Sequence, residues 1–187
     1  MRKRPLLNEL YDDLQAYFIA QRLPLVNPQY VRDNDRISWN DRSANTRARS
    51  YRGYYAWVAS NAQYSFRMND GSYFQLYYRA EGDRLVQGSL AYLPSPSILA
   101  VRGARYARFD CDIAAHRDIY HLGYHAHFGY GSQMRLPLMR FPMPSQFLDF
   151  VKVAIYCRDA TVPGAVSRHI ADLDRLGMRY AHVLCLR

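Results

Sequence analysis

The sequence predicts one α+β domain, an antiparallel sheet with an N-terminal helix and C-terminal helices packed on it. Three observations carry that prediction. The chain of 187 residues suits a single core. Apolar stripes at helical spacing stand near both ends. Between them lie short alternating segments separated by tight-turn sequences.

Residues 1–22 hold the first helix, running from about Pro5 to Gln21. Leu7, Leu10, Tyr11, Leu14 and Phe18 recur at spacings of three and four and form one apolar stripe. Pro24 and Pro28 end it. Residues 30–52 read as a basic loop, because NDRSANTRARSYRG is polar and has no apolar period. The sheet region spans 54–139. Tyr54 to Val58 has strand character, and Gln63 to Met68 alternates as QYSFRM. Asn69 to Ser72, NDGS, supplies hairpin-turn chemistry with Gly71 at the position of positive φ. Tyr73 to Arg79 is then the partner strand, and Glu81-Gly82-Asp83 turns into Leu85 to Leu93, which completes a three-stranded meander.

Pro94 and Pro96 close the meander in a PSPS loop. Tyr106 to Asp112 and Tyr124 to Phe128 are the next strands. Met134 to Met139 is a short edge strand, since Pro137 cannot donate to a ladder. In residues 145–187, Ser145 is the expected N-cap of a helix with its stripe at Phe147, Phe150, Val151, Ala154 and Ile155. A short helix from about Ala165 to Leu176 ends at Gly177, and RYAHVLCLR reads as a final strand.

Composition excludes some classes. A hydrophobic share of 49% rules out disorder as the overall description, and no apolar run approaches the roughly 20 residues of a membrane span. Cys111, Cys157 and Cys185 are odd in number and lack a CxxC pair, so free thiols and a cytosolic setting are expected. MRKRPLLNEL lacks a signal-peptide core, which agrees with a cytoplasmic location. A net charge of +9 favours a polyanionic partner, RNA or DNA first. Of the 25 basic residues only Lys3 and Lys152 are lysine. Arginine's planar fork suits phosphate and base edges, and tyrosine suits unpaired bases, although a genome's codon habit explains the ratio equally well. Arg32, Arg36, Arg42, Arg47, Arg49 and Arg52 cluster in the basic segment, with Arg102, Arg105 and Arg108 further on. Arg47, Arg49, Arg52, Arg108 and Arg135 are the candidate phosphate contacts.

The chemistry-bearing stretch is RFDCDIAAHRDIYHLGYHAHFG, residues 108–129. Asp110 and Asp112 alternate on one strand and share a face, and His125 and His127 do the same on the next. If the strands are neighbours, two carboxylates and two imidazoles meet, with His121 at the turn before. Asp110, Asp112, His121, His125 and His127 are therefore the candidate catalytic residues. A divalent metal, Mn²⁺ or Zn²⁺, on Asp110, Asp112, His125 and His127 would activate water for attack on phosphorus. Alternatively, paired histidines act as base and acid in metal-free RNA cleavage, with Arg108 or Arg135 steadying charge. A third reading makes the cluster structural, with Arg108 paired to the aspartates. A second grouping, Asp70, Gln75 and Tyr77, lacks the acid and lysine of a PD-(D/E)xK nuclease, and Asp70 reads as a turn residue. P-loop, GxGxxG and GxSxG motifs are absent.

The run YSFRMNDGSYFQLYYRAEGDRLVQGSLAYLPSPS resembles a DGS–Q–Y–L–PSP hairpin pattern. RFDCD, HLGYHAHFG, RLP and PSQFLDFV resemble an R-x-D-x-D, H-x3-H-x-H, R-x-P and P-x2-F helix pattern. Together, over Tyr64 to Tyr156, they resemble a prokaryotic domain-of-unknown-function family, the one numbered 2290. By that resemblance the motif positions are Asp70, Gly71, Gln75, Pro94, Arg108, Asp110, Asp112, His121, His125, His127, Arg135 and Pro137. The resemblance implies a small bacterial cytosolic protein of a defence or mobile-element setting and brings no established activity. The functional expectation is a nucleic-acid-acting protein that cleaves phosphodiesters at the Asp/His cluster. Its rival is a non-catalytic nucleic-acid- or protein-binding subunit of a defence complex.

Overall fold

The computed structural model describes residues 5–20, 25–39, 48–102, 106–113, 123–131, 135–138 and 140–152. Mixed α+β architecture is what they form. Helix α1 (Leu6–Ile19) is followed by strands β1 (Leu25–Val26), β2 (Tyr30–Arg32) and β3 (Arg36–Trp39), then helix α2 (Tyr51–Ser60). Strands β4 (Phe66–Met68), β5 (Tyr73–Glu81) and β6 (Arg84–Leu93) come next, with helix α3 (Pro96–Arg102) after them. Strands β7 (Ala107–Asp112), β8 (Tyr124–Phe128) and β9 (Leu136–Pro137) precede helix α4 (Pro144–Val151).

Among the described residues nine strands join one antiparallel sheet: seven run in the order β1-β4-β5-β6-β7-β8-β9, and β3, which pairs with β2, joins at β5. The predicted meander is β4–β5–β6. Gly71 (φ +86°) and Gly82 (φ +64°) sit at its two turns, in backbone that any side chain would strain. Asp70 Oδ1 accepts the Ser72 N–H at 2.8 Å and closes the first turn locally, the role expected of Asp70. The edge strand predicted around Pro137 is β9.

The sheet forks along one edge of β5. Phe66 and Arg67 of β4 pair with its first residues, Phe74 and Tyr73. Arg36 and Ile37 of β3 pair further along, with Arg79 and Tyr78. Side chains bridge the gap: Ser65 Oγ accepts the Leu76 N–H at 2.9 Å, and the Gln75 amide donates to the Gln63 carbonyl at 2.7 Å.

Helices cover both faces. On one, Leu7, Leu10, Leu14 and Tyr17 of α1 and Phe147, Leu148 and Val151 of α4 join Phe74, Leu76, Tyr78, Leu90, Tyr92 and Phe109 in the main core. Leu7, Leu10 and Leu14 of the predicted stripe are buried, Tyr11 and Phe18 pack half-buried against the core, and Tyr17 joins them. Tyr17 donates to Asp149 at 3.0 Å and holds α1 against α4. On the other face, Val58 of α2 packs with Tyr64, Tyr73, Ala91, Leu93 and Tyr106.

Four local expectations are corrected. Tyr54 to Val58 is helix, not strand. Ser50 caps α2 by accepting the Gly53 N–H at 3.2 Å, and Tyr51, Tyr54, Tyr55 and Val58 form an inward stripe that outweighs the strand propensity of tyrosine and valine. The 30–52 loop is not one loop: Tyr30–Trp39 is a hairpin, β2 against β3. Arg36 pairs with Asp33 at 2.7 Å, and Arg79 with Asp35 at 3.2 Å, so acids within the segment answer part of the charge. PSPS runs into α3, which Ser95 begins by accepting the Ile98 N–H at 3.3 Å with Pro96 in the first turn. Ser145 lies inside α4 and does not cap it; its N–H and Oγ both donate to Asp13 of α1 at 2.8 Å. A carboxylate at a helix N-terminus from a neighbouring helix does the work expected of the serine. Ala154 and Ile155, the helix at 165–176 and the last strand lie outside the described residues. Among the described residues, no helix is long and apolar enough to cross a membrane.

Candidate metal centre

Strand period 2 and one register decide the site. In the β7–β8 ladder Asp110 stands opposite His125, and Arg108 opposite His127. On the far side of β7, Ser89 stands opposite Asp110 and Ala91 opposite Arg108. Phe109 and Ala126, on the intervening positions, point into the main core. The sheet face that carries α2 therefore also carries Ser89, Arg108, Asp110, His125 and His127.

Three of these side chains converge. One ligand atom each from Asp110, His125 and His127 lies within 4.8 Å of the others. Asp110 Oδ2 is 3.8 Å from His125 Nε2 and 3.6 Å from His127 Nε2. The imidazole rings meet edge to face, with centroids 5.0 Å apart. A tetrahedral ion held at about 2.0–2.1 Å from each ligand places those ligands roughly 3.4 Å apart; the two Asp110–imidazole distances exceed that by a few tenths of an ångström, and the set as a whole, spread over up to 4.8 Å, would have to draw closer to hold a cation. Both histidines are buried, while Asp110 retains 19% side-chain exposure and gives the cluster an opening to solvent.

The carboxylate is fixed from two sides. Ser89 Oγ donates to Oδ1 at 3.1 Å, and Arg108 Nε donates to Oδ2 at 2.7 Å. Serine thus turns Oδ2 toward the imidazoles, and arginine supplies the balancing charge on the same oxygen. Arg108 also contacts Tyr106, a phenol that burial pushes well above its usual range. Buried against β7, Cys111 has its thiol pushed up to about 12, first by desolvation and then by Asp112 and Asp110. It alternates with Asp110 along β7, so it points to the opposite face of the sheet and is not among the converging ligands.

The other predicted residues are placed differently. Asp112 shares the Asp110 face but stands opposite Gln87, one step along the strand, and is not among the three that converge. His121 and Arg47 lie outside the described residues. Arg49 and Arg52 are exposed where the chain enters α2, and Arg135 is exposed just before β9. Gln75 and Tyr77 do reach this face, across β6 from the cluster, with Gln75 opposite Ala91 and Tyr77 opposite Ser89. Gln75 accepts from Tyr54 of α2 at 3.0 Å, and Tyr77 donates to Gln87 at 3.3 Å. Sequence reasoning missed Ser89, Tyr54 and Tyr106. Only the strand alternation of Ser89 with Leu90 carried a signal, and it becomes meaningful once β6 is known to lie beside β7.

The family model described as "Uncharacterized conserved protein (DUF2290)" matches residues 20–105. Over those residues the chain is similar to that family. The family is the one read from the NDGS hairpin, but the span differs. The DUF2290 region takes in β1, the β2–β3 hairpin, α2 and the meander, and it stops before β7. The basic segment thus falls inside it, and Asp110, His125 and His127 fall beyond it. No curated protein and no solved structure matches the chain.

Proposed function

We propose that the protein acts on nucleic acid and cleaves phosphodiesters at a divalent-cation site formed by Asp110, His125 and His127. One observation carries the reading: two buried imidazole nitrogens approach a single carboxylate oxygen at 3.6 and 3.8 Å beside a half-exposed arginine, on a chain of net charge +9. Two histidines and a carboxylate suit Zn²⁺ or Mn²⁺. When bound, such a cation supplies Lewis acidity toward a phosphoryl oxygen and acidifies water.

The chain's own residues supply the rest. Asp110, His125 and His127 hold the ligand geometry on two hydrogen-bonded strands, which are stiffer than a loop. Ser89 orients the carboxylate. Arg108 has five donors, spends one on Asp110, and keeps 43% of its side chain exposed for a phosphate oxygen. Arg49, Arg52 and Arg135 extend the basic surface for the flanking phosphates. A bacterial defence or mobile-element setting, implied by the family resemblance, gives such an activity a use against foreign nucleic acid.

A second reading has its own observation. Arg108 already neutralises Asp110 at 2.7 Å, so the cluster would instead lock β6, β7 and β8 together in a non-catalytic binding subunit. Incubation of end-labelled RNA and DNA with purified protein, with and without Mn²⁺ or Zn²⁺, separates the two. The proposal expects metal-dependent cleavage by the wild type and its loss in His127→Ala. Equal inactivity of both proteins on every substrate favours the binding subunit.

A further inference from the structure

A second surface begins one pleat away from the Asp/His cluster. Tyr106 precedes Arg108 by two residues and meets α2, whose inward stripe is almost entirely aromatic. Tyr54 and Tyr130 stack with centroids 5.4 Å apart and planes at 26°, and Tyr54 stacks on Trp57 at 6.3 Å and 15°. Tyr106 closes on Tyr130 edge to face at 5.7 Å, and Tyr51 does so at 5.7 Å. The hydroxyls are turned inward: Tyr54 donates to Gln75 at 3.0 Å, Tyr130 to the Ala48 carbonyl at 3.1 Å, and Tyr51 to the Pro94 carbonyl. Tyr51, Tyr54, Trp57 and Tyr130 are each only half buried, so ring surface, not phenol oxygen, is what they offer outward.

Cations frame these rings. The Tyr130–Ala48 bond fastens the chain just before exposed Arg49, and exposed Arg52 follows on the first turn of α2. Arg108 lies on the inner side, in contact with Tyr106. A closely spaced aromatic ledge between guanidinium groups matches an unpaired base followed by its phosphates, since bases stack on aromatic rings regardless of sequence and phosphates take bidentate arginine. A duplex hides its base faces and gains nothing from such a ledge.

We propose that Tyr54, Trp57 and Tyr130 form a base-stacking subsite for single-stranded nucleic acid, which leads its backbone over Arg108 toward Asp110. The inference deepens the cleavage reading, since it names the strandedness of the substrate for the same site. Two residues along a strand advance about 6.8 Å, close to one nucleotide step, so Arg108 stands about one such step and Asp110 about two beyond Tyr106, at the edge of the ledge. The ring faces are common to RNA and DNA recognition, and the two are separated by experiment.

Binding is measured by anisotropy of labelled 12-nucleotide-scale oligomers (about four to sixteen nucleotides fill one such site), as single-stranded RNA, single-stranded DNA and duplex, all in chelator. Leaving metal out keeps this test independent of cleavage. The expected result is single strands bound roughly tenfold or more tighter than duplex, with that preference lost in Tyr130→Leu and restored by the conservative Tyr130→Phe. In a Trp39→Phe protein, quenching of Trp57 emission by the single strand is expected as well, and it needs no ledge variant to fold. Equal affinity for duplex and single strand, or unquenched Trp57 at saturation, overturns the proposal. Single-strand binding without any metal-dependent cleavage would sink the cleavage reading and leave the subsite standing.

Discussion

Asp110 and His125 face each other across the β7–β8 ladder, with the imidazole Nε2 3.8 Å from the carboxylate Oδ2. His127, two residues on, brings a second nitrogen to 3.6 Å from the same oxygen. Backbone pairing alone sets these distances to first order, because both strands alternate with period 2. On the other side the β6–β7 register brings Ser89 opposite the carboxylate, and Arg108, two residues before Asp110 on β7, reaches it along its own strand.

Arg108→Gln should raise divalent-cation affinity, because it removes the cation that occupies Asp110 Oδ2. Stability should fall by no more than about 1 kcal/mol, since the pair is partly exposed and screened. Calorimetric titration with Mn²⁺ and a thermal melt check the two halves. A large loss of stability with unchanged metal affinity would mean that the pair is structural.

Ser89→Ala removes the donor on Oδ1. A cost of about 1 kcal/mol in stability is expected, together with a metal affinity lower by roughly tenfold or more, because Asp110 is no longer oriented. A change in stability alone would separate packing from positioning. Titration of the variant beside the wild type reads both.

How much of this was legible beforehand follows from how local each signal is. The β4–β5–β6 meander was legible because alternation and turn residues sit within a few positions of one another, and Gly71 and Gly82 mark the turns. The shared Asp/His face was legible because DxD and HxH encode strand period directly. Helix α2 was not, because Tyr51, Tyr54 and Tyr55 have strand propensity and only packing on Tyr73 and Tyr106 reveals their helical spacing. Asp13 as the partner of Ser145, and Ser89 as the partner of Asp110, are contacts of 132 and 21 residues' separation. No local pattern encodes those.

Gly88→Ala should destabilise by about 1–3 kcal/mol through overpacking. A Cβ on Gly88 would overlap the Phe141 ring, with Cζ at 2.7 Å and Cδ1 at 3.0 Å. Phe141 in turn packs edge to face on Tyr78 at 5.6 Å, which limits its retreat. Adding Phe141→Ala should recover part of the loss if the clash is the cause, a result that a double-mutant melt measures directly.

Stability should decline from about pH 9 upward. Burial, first of all, pushes the Cys111 thiol from 9.0 to about 12 and the Tyr55 phenol from 10.0 to about 12. The folded protein therefore keeps protons that the unfolded chain releases, and the stability they contribute is complete below pH 9 and lost as pH rises toward 12. Thermal melts across that window test the slope. In a Cys157→Ser, Cys185→Ser protein, Cys111 should also resist a disulfide-exchange reagent at neutral pH until the chain is unfolded. Rapid reaction of the folded protein would contradict its burial.

The central claim is that Asp110, His125 and His127 hold one divalent cation. Calorimetric titration of the full chain with Zn²⁺ and with Mn²⁺, for the wild type and for Asp110→Asn, His125→Ala and His127→Ala, tests it most directly. Saturation at one ion per chain is expected in the wild type, with loss of that site in each variant whose fold is intact by circular dichroism. A wild type that takes up no ion, or variants that bind as it does, would contradict it.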